Sequence, residues 1–182
     1  MPGKHGLFLG IAVAALAFFA GVLSARYPAS PDDALPTLAS GAIERLFESR
    51  FDDLSGNSLQ ISQWKGKTLV INFWATWCPP CRKEMPAFSR LQDKHAANGV
   101  QFVGISIDSV ENVRAFSNTN RISYPLLNGE LRGEDLARQL GNPRLALPYT
   151  LILAPSGTLR FARAGAISEA ELEALLLAAL RP

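Results

Sequence analysis

Residues 6–25 (GLFLGIAVAALAFFAGVLSA) carry no charge over 20 positions. That length matches the ~20 residues a helix needs to cross a bilayer. No polar stripe interrupts the run, which argues against a buried core helix. Lys4 and the amino terminus precede it, so the positive-inside rule puts residues 1–5 in the cytoplasm and everything after Arg26 outside. The rival is a cleaved signal peptide, whose apolar region spans ~7–15 residues before a small-residue cleavage site. Leu23 stands where a small residue is preferred for cleavage after Ala25, whereas cleavage after Ser24 would place Val22 at −3. Either route exports the rest of the chain. Residues 26–41 (RYPASPDDALPTLASG) have neither helical nor alternating period and read as a linker.

From residue 42 to 182 the pattern is that of a folded domain. LFESRF (46–51) and SLQIS (58–62) flank Ser55-Gly56-Asn57 and predict a β-hairpin. TLVINFWA (68–75) is almost continuously apolar, as expected of a strand buried on both faces. A helix is predicted from Pro79 to about Ala97, with Met85, Phe88 and Leu91 on one apolar face and Asn98-Gly99 ending it. GVQFVGISID (99–108) predicts a second central strand, 110–120 a helix, 124–128 a short strand, and 133–141 a short helix closed by Gly141. YTLILA (149–154) and TLRFARAG (158–165) flank Pro155-Ser156-Gly157 as an antiparallel hairpin. A last helix starts at Ser168, where Glu171 completes a capping-box pattern, and runs to about Leu180. The order predicts an α/β domain with a mixed central sheet and helices on both faces.

Composition narrows the function classes. Hydrophobic residues make up 48% and charged residues 19%, enough for a true core. The net charge of +2 arises from scattered residues with no basic block, so nucleic acid is not an expected partner. Two histidines (His5 and His95) and two cysteines are a poor stock for zinc, and no metal site is expected. A two-thiolate Cu(I) site stays open in principle.

Those two cysteines, Cys78 and Cys81, lie three positions apart. A disulfide between them closes too short a loop to stabilise the fold much. It is therefore expected to be made and broken, and it stands where the first central strand hands over to its helix, a position where chemistry gathers in α/β sheets. The nucleophile in exchange is a thiolate, favoured at a helix N-terminus by unpaired N–H groups and the macrodipole. Cys78 is the better placed. Pro79 and Pro80 lack N–H groups, so donors to its sulfur begin with the amides of Cys81 and Arg82. Cys81, one turn in, is expected to be the more buried, resolving thiol. Trp74 is expected in the core and Trp77 at the surface beside Cys78. Arg82, Lys83 and His95 are expected in solvent.

FWATWCPPCRKEMP (73–86) resembles the active-site segment of the TlpA/ResA-like family of membrane-anchored thioredoxin-fold thiol–disulfide oxidoreductases, and the resemblance extends over roughly residues 42–182. It implies a thioredoxin-like three-layer fold behind an N-terminal transmembrane helix. It also implies a cis-proline facing the CxxC, here Pro148 in LALPYT, with Leu147 offering its backbone to an extended substrate. An ordinary trans, strand-initiating proline is the alternative there. The family's buried glutamate falls on Glu84, whose duller reading is a solvated first-turn carboxylate. Thioredoxin's buried aspartate six residues before the first cysteine is replaced by Asn72, which cannot exchange a proton near neutral pH. Any acid/base partner of Cys81 must then be Glu84.

The resemblance implies a protein-disulfide reductase at the bacterial inner membrane, with its catalytic domain in the periplasm and no cofactor beyond the Cys78–Cys81 pair. Its substrates would be cysteine pairs of exported proteins, such as apocytochrome c or copper-site proteins. Its electrons would come from a thiol-relaying membrane protein. A disulfide donor or isomerase, a Cu(I) carrier and a non-enzymatic holder remain open. A peroxidatic role is disfavoured, because Ile71 and Ala75 stand where that pattern wants Pro and Thr.

Overall fold

A computed structural model of the protein describes residues 35–180. The predicted membrane span at 6–25 and the first part of the linker lie outside them. Seven strands form one mixed sheet in the order β2-β1-β5-β4-β3-β6-β7. The strands are β1 (Arg50–Asp53), β2 (Ser58–Gln60), β3 (Thr68–Trp74), β4 (Val100–Ser106), β5 (Leu126–Asn128), β6 (Tyr149–Leu153) and β7 (Leu159–Ala164). The helices are α1 (Ala42–Glu48), α2 (Pro79–His95), α3 (Val110–Thr119), α4 (Glu130–Gln139) and α5 (Glu169–Ala179).

Every residue of β3 is buried. The strand runs parallel to β4 and antiparallel to β6, and its side chains alternate between two cores. Leu69, Ile71 and Phe73 face the layer of α1 and α4 with Leu46, Phe51 and Leu136. Val70 and Trp74 face the layer of α2, α3 and α5 with Phe88, Phe102 and Leu172. Burial of each large apolar side chain contributes about 1.5–3 kcal/mol. Because successive strand side chains point to opposite faces, Asn72 belongs to the α2 side.

Four expectations need correction. LFESRF is not a strand throughout. Its first part belongs to α1, because Ala42, Leu46 and Phe47 bury at helical spacing, and only from Arg50 does the chain extend into β1. SLQIS likewise extends only to Gln60, where a 3-10 turn (Ile61–Trp64) follows. The helix expected at 133 begins at Glu130, since Gly129 and Gly133 let it lie directly against β4. His95 is not in solvent: it is 4% exposed, and its Nε2 lies 2.6 Å from Glu173 Oε1 of α5.

The C-terminal ends of β3, β4 and β5 share one edge of the sheet with the start of β6, as the pairs Trp74–Ser106, Ser106–Asn128 and Phe73–Tyr149 require. The cysteines leave β3 at that edge.

Candidate active site

Cys78 is the N-cap of α2, and Pro79 and Pro80 occupy the helix's first two positions. There the missing N–H groups cost nothing, and the fixed backbone angle of proline suits the helix. Cys78 and Cys81 are joined in a disulfide. The Cys81 amide donates to Cys78 Sγ at 3.3 Å. The Arg82 amide donates instead to the Cys78 carbonyl. Cys78 is 4% exposed and Cys81 fully buried, while Trp77 beside them is 63% exposed. Trp74 lies in the core, and Arg82 and Lys83 are in solvent.

Glu84 lies one turn beyond Cys81, on the same helix face by i,i+3 spacing. It is buried, with Oε1 accepting from Asn72 Nδ2 at 3.1 Å and Oε2 from the Ile167 amide at 3.3 Å. Burial pushes its carboxyl up to about 7 against the opposing pull of those two donors. Asn72 also donates to Thr150 Oγ1 at 3.0 Å, so it bridges β6 and α2 behind the disulfide.

Two further groups belong to this neighbourhood that residue patterns did not single out. Tyr124 is buried, and its hydroxyl has no hydrogen-bond partner among the described residues. Burial, and then the charge of Glu84, keep its phenol protonated. Asp108, just past β4, pins the loop that carries the cysteines. It accepts from the Thr76 amide at 3.1 Å, the Thr76 hydroxyl, the Ser109 amide at 2.8 Å and Asn112 Nδ2 at 2.8 Å. Burial disfavours its charge, but the bonds from Asn112, Thr76 and Ser109 outweigh that and hold its carboxyl below the ordinary range. The Asp at the end of an apolar strand was the available signal, but its partner Thr76 lies 32 residues away.

The Leu147–Pro148 peptide is cis. It directly precedes β6, so continuing the β3–β6 register sets Pro148 opposite Trp74, at the edge where the cysteines lie. Leu147 is half-buried and Pro148 buried. Cys78, Cys81, Glu84, Leu147 and Pro148 thus gather at one end of the sheet. Among the described residues no cluster of three or more His, Cys, Asp or Glu has the arrangement of a metal site.

This arrangement can pass electrons between a dithiol and a disulfide, with a buried carboxyl near neutrality to carry a proton. The sequence profile of the AhpC/TSA family matches residues 43–162. The chain belongs to the AhpC/TSA family. Within it the relatives are of the TlpA/ResA-like kind. The chain is 35% identical over 124 residues to the thioredoxin-like protein YneN of Bacillus subtilis, spanning 66% of this chain and 69% of that one. It is 32% identical over 129 residues to the thiol-disulfide oxidoreductase ResA of Oceanobacillus iheyensis, spanning 69% of this chain but 64% of that one. A crystal structure of a thiol:disulfide interchange protein of the thioredoxin family from Chlorobium tepidum TLS superposes with a TM-score of 0.65 at 29% identity. That match covers 82% of this chain and 99% of the other. The fold is thioredoxin-like.

Proposed function

We propose that this thioredoxin-fold thiol–disulfide oxidoreductase is a reductase of disulfides in exported proteins, tethered to the inner membrane through residues 6–25 with its catalytic domain in the periplasm. The observation that carries the reading is the pairing of Cys78–Cys81 at the head of α2 with a buried Glu84 one turn behind, its carboxyl near 7. A reductase needs a group of that kind to free its second thiol.

The chemistry runs from the dithiol. The Cys78 thiolate attacks one sulfur of the substrate disulfide, so the substrate S–S bond breaks and a Cys78 mixed disulfide forms. The first substrate thiolate leaves and takes a proton. Glu84 accepts the proton of Cys81, whose thiolate then attacks Cys78 Sγ and expels the second substrate thiolate, and Glu84 passes that proton on to the departing thiolate. Two electrons and two protons have passed to the substrate, and the enzyme is left as the Cys78–Cys81 disulfide. A thiol-relaying membrane protein restores the dithiol by the same exchange in reverse. Leu147 and Pro148 receive the extended backbone around the substrate cysteine, and exposed Trp77 adds apolar contact. No bound cofactor takes part. Haem-binding cysteines of apocytochrome c and cysteines of copper-site proteins are the proposed substrates, because both require a dithiol in an oxidising space.

Cys81→Ser removes the resolving thiol and leaves the attacking one. The variant is expected to accumulate a mixed disulfide through Cys78 with exported cysteine proteins, visible on non-reducing gels and lost with dithiothreitol. Retention of the same partners without any covalent adduct would make the protein a holder and not a reductase.

A further inference from the structure

The loop that leads into Leu147 is shaped by one side chain. Asn142 is 3% exposed, and its own amide donates to the Ala137 carbonyl at 3.0 Å, anchoring it to the end of α4. Its carboxamide grips Ala146 at both ends: Nδ2 donates to the Ala146 carbonyl at 3.0 Å, and Oδ1 accepts from the Ala146 amide at 3.0 Å. The Asn142 carbonyl also accepts from Leu145, which sits at φ +51, a region that L-residues resist. The side chain thus stands in for a neighbouring strand and occupies both polar groups of Ala146.

The consequence falls on the next residue. In a trans peptide the C=O and the following N–H point in opposite directions. The Ala146–Leu147 peptide is trans, since the cis bond is the one after it. With the Ala146 carbonyl turned inward to Asn142, the Leu147 N–H faces away. It donates to no acceptor among the described residues. An N–H left without a partner in a folded protein is costly unless water or a ligand receives it.

We propose that Asn142 is a positioning residue for the protein substrate: by holding Ala146 it presents the Leu147 N–H to a backbone carbonyl of the extended segment that carries the substrate cysteine. This rests on the reading that Leu147 receives the substrate backbone. Asn142 touches neither the sulfurs nor Glu84, so it acts on binding and leaves the exchange chemistry alone. The substrate feature it selects is a free carbonyl beside the cysteine in an extended chain, whatever the side chains are.

The test uses the full-length protein in detergent, with a disulfide-bonded peptide and with hydroxyethyl disulfide, which has no peptide backbone. Asn142→Ala is expected to raise KM for the peptide about tenfold, the worth of one backbone hydrogen bond, with kcat unchanged. The rate with hydroxyethyl disulfide and the potential of the Cys78/Cys81 couple are expected to stay at wild-type values. Asn142→Asp keeps the shape and the acceptor for the Ala146 amide but loses the donor to its carbonyl. The carboxylate oxygen that replaces Nδ2 faces the Ala146 carbonyl and repels it, so KM for this variant is expected to rise at least as far as in Asn142→Ala. If neither variant folds, the peptide series below carries the test in the wild type. An unchanged peptide KM, or an equal loss with hydroxyethyl disulfide, would overturn the proposal. A peptide series then replaces each bond flanking the cysteine with an alkene isostere, deleting one carbonyl at a time. One member is expected to bind wild type more weakly and to cost nothing further in Asn142→Ala. If that member is equally costly in both proteins, backbone pairing stands and the role of Asn142 is wrong. If no member matters to wild type, the pairing at Leu147 fails, and the role of Asn142 with it.

Discussion

In the proposed mechanism Glu84 is the residue on which the chemistry turns, and its environment makes two measurable claims. Its ordinary value is 4.5 and burial pushes it up to about 7. The folded protein therefore binds this proton more tightly than the unfolded chain does. The resulting stability is complete below about 4.5 and is lost as pH rises through about 7. The gap is worth about 3 kcal/mol. Urea titrations of the oxidised protein are expected to lose that amount between the two pH values, and Glu84→Gln to abolish the loss. In kinetics, resolution of the mixed disulfide is expected to rise with pH and level off above the Glu84 ionisation. Glu84→Gln is expected to remove that inflection and slow the step by about a hundredfold, as for loss of a general base. A single-turnover pH profile checks both. Asn72 cannot substitute, because it holds Glu84 by a donated bond and has no titratable proton near neutrality.

At the scale of elements, the site depends on how closely helices approach strand ends. Gly129 opens α4 where a Cβ would lie 2.7 Å from Ile105 Cγ2 and 2.8 Å from the Ser106 carbonyl oxygen. A backbone oxygen at the end of β4 has little room to yield. Gly129→Ala is expected to cost about 1–3 kcal/mol of stability in a denaturant titration, and a neutral result would show that α4 can shift outward. Helix α5 is joined to α2 by Arg90–Glu169, Lys94–Glu173 and His95–Glu173. Arg90–Glu169 and Lys94–Glu173 are screened by solvent and add little stability, while the third pair rests on the buried His95 ring. Their consequence is positional, because Ile167, just ahead of α5, supplies an amide to Glu84.

The same scale explains what could be read from the chain. The strand at β3, the helix behind the cysteines and the Ser168 cap were legible because each rests on local patterning: an unbroken apolar run, prolines at helix positions one and two, and a Ser whose hydroxyl accepts from Glu171. Helix α1 is hidden when LFESRF is taken only as the arm before the Ser55-Gly56-Asn57 turn, whereas a window starting at Ala42 gives helical spacing. His95 was misplaced because its partner Glu173 is 78 residues away. Asp108 escaped for the same reason. Asn142 did not, in principle, need to: Asn-Pro announces a turn, and Ala146 is only four residues on. What the sequence could not announce is that its amide would grip both ends of one residue.

For the whole molecule, the proposed reductase role makes the Cys78–Cys81 pair a source of electrons in a space that oxidises exposed thiols. Direction is then a matter of which redox form the fold favours, at about 1.4 kcal/mol for every 30 mV. The surroundings of the couple argue for a reducing poise. The first cysteine is covered, the second is fully buried, and the sulfur of Cys78 receives one amide donor, with no histidine between the cysteines to stabilise the thiolate further. The most direct test is the reduction potential of this couple in the full-length protein, by equilibration against dithiothreitol and glutathione buffers. A value near or below the thioredoxin region, about −270 mV, is predicted. A value near about −120 mV would contradict the account and make the protein a donor of disulfides.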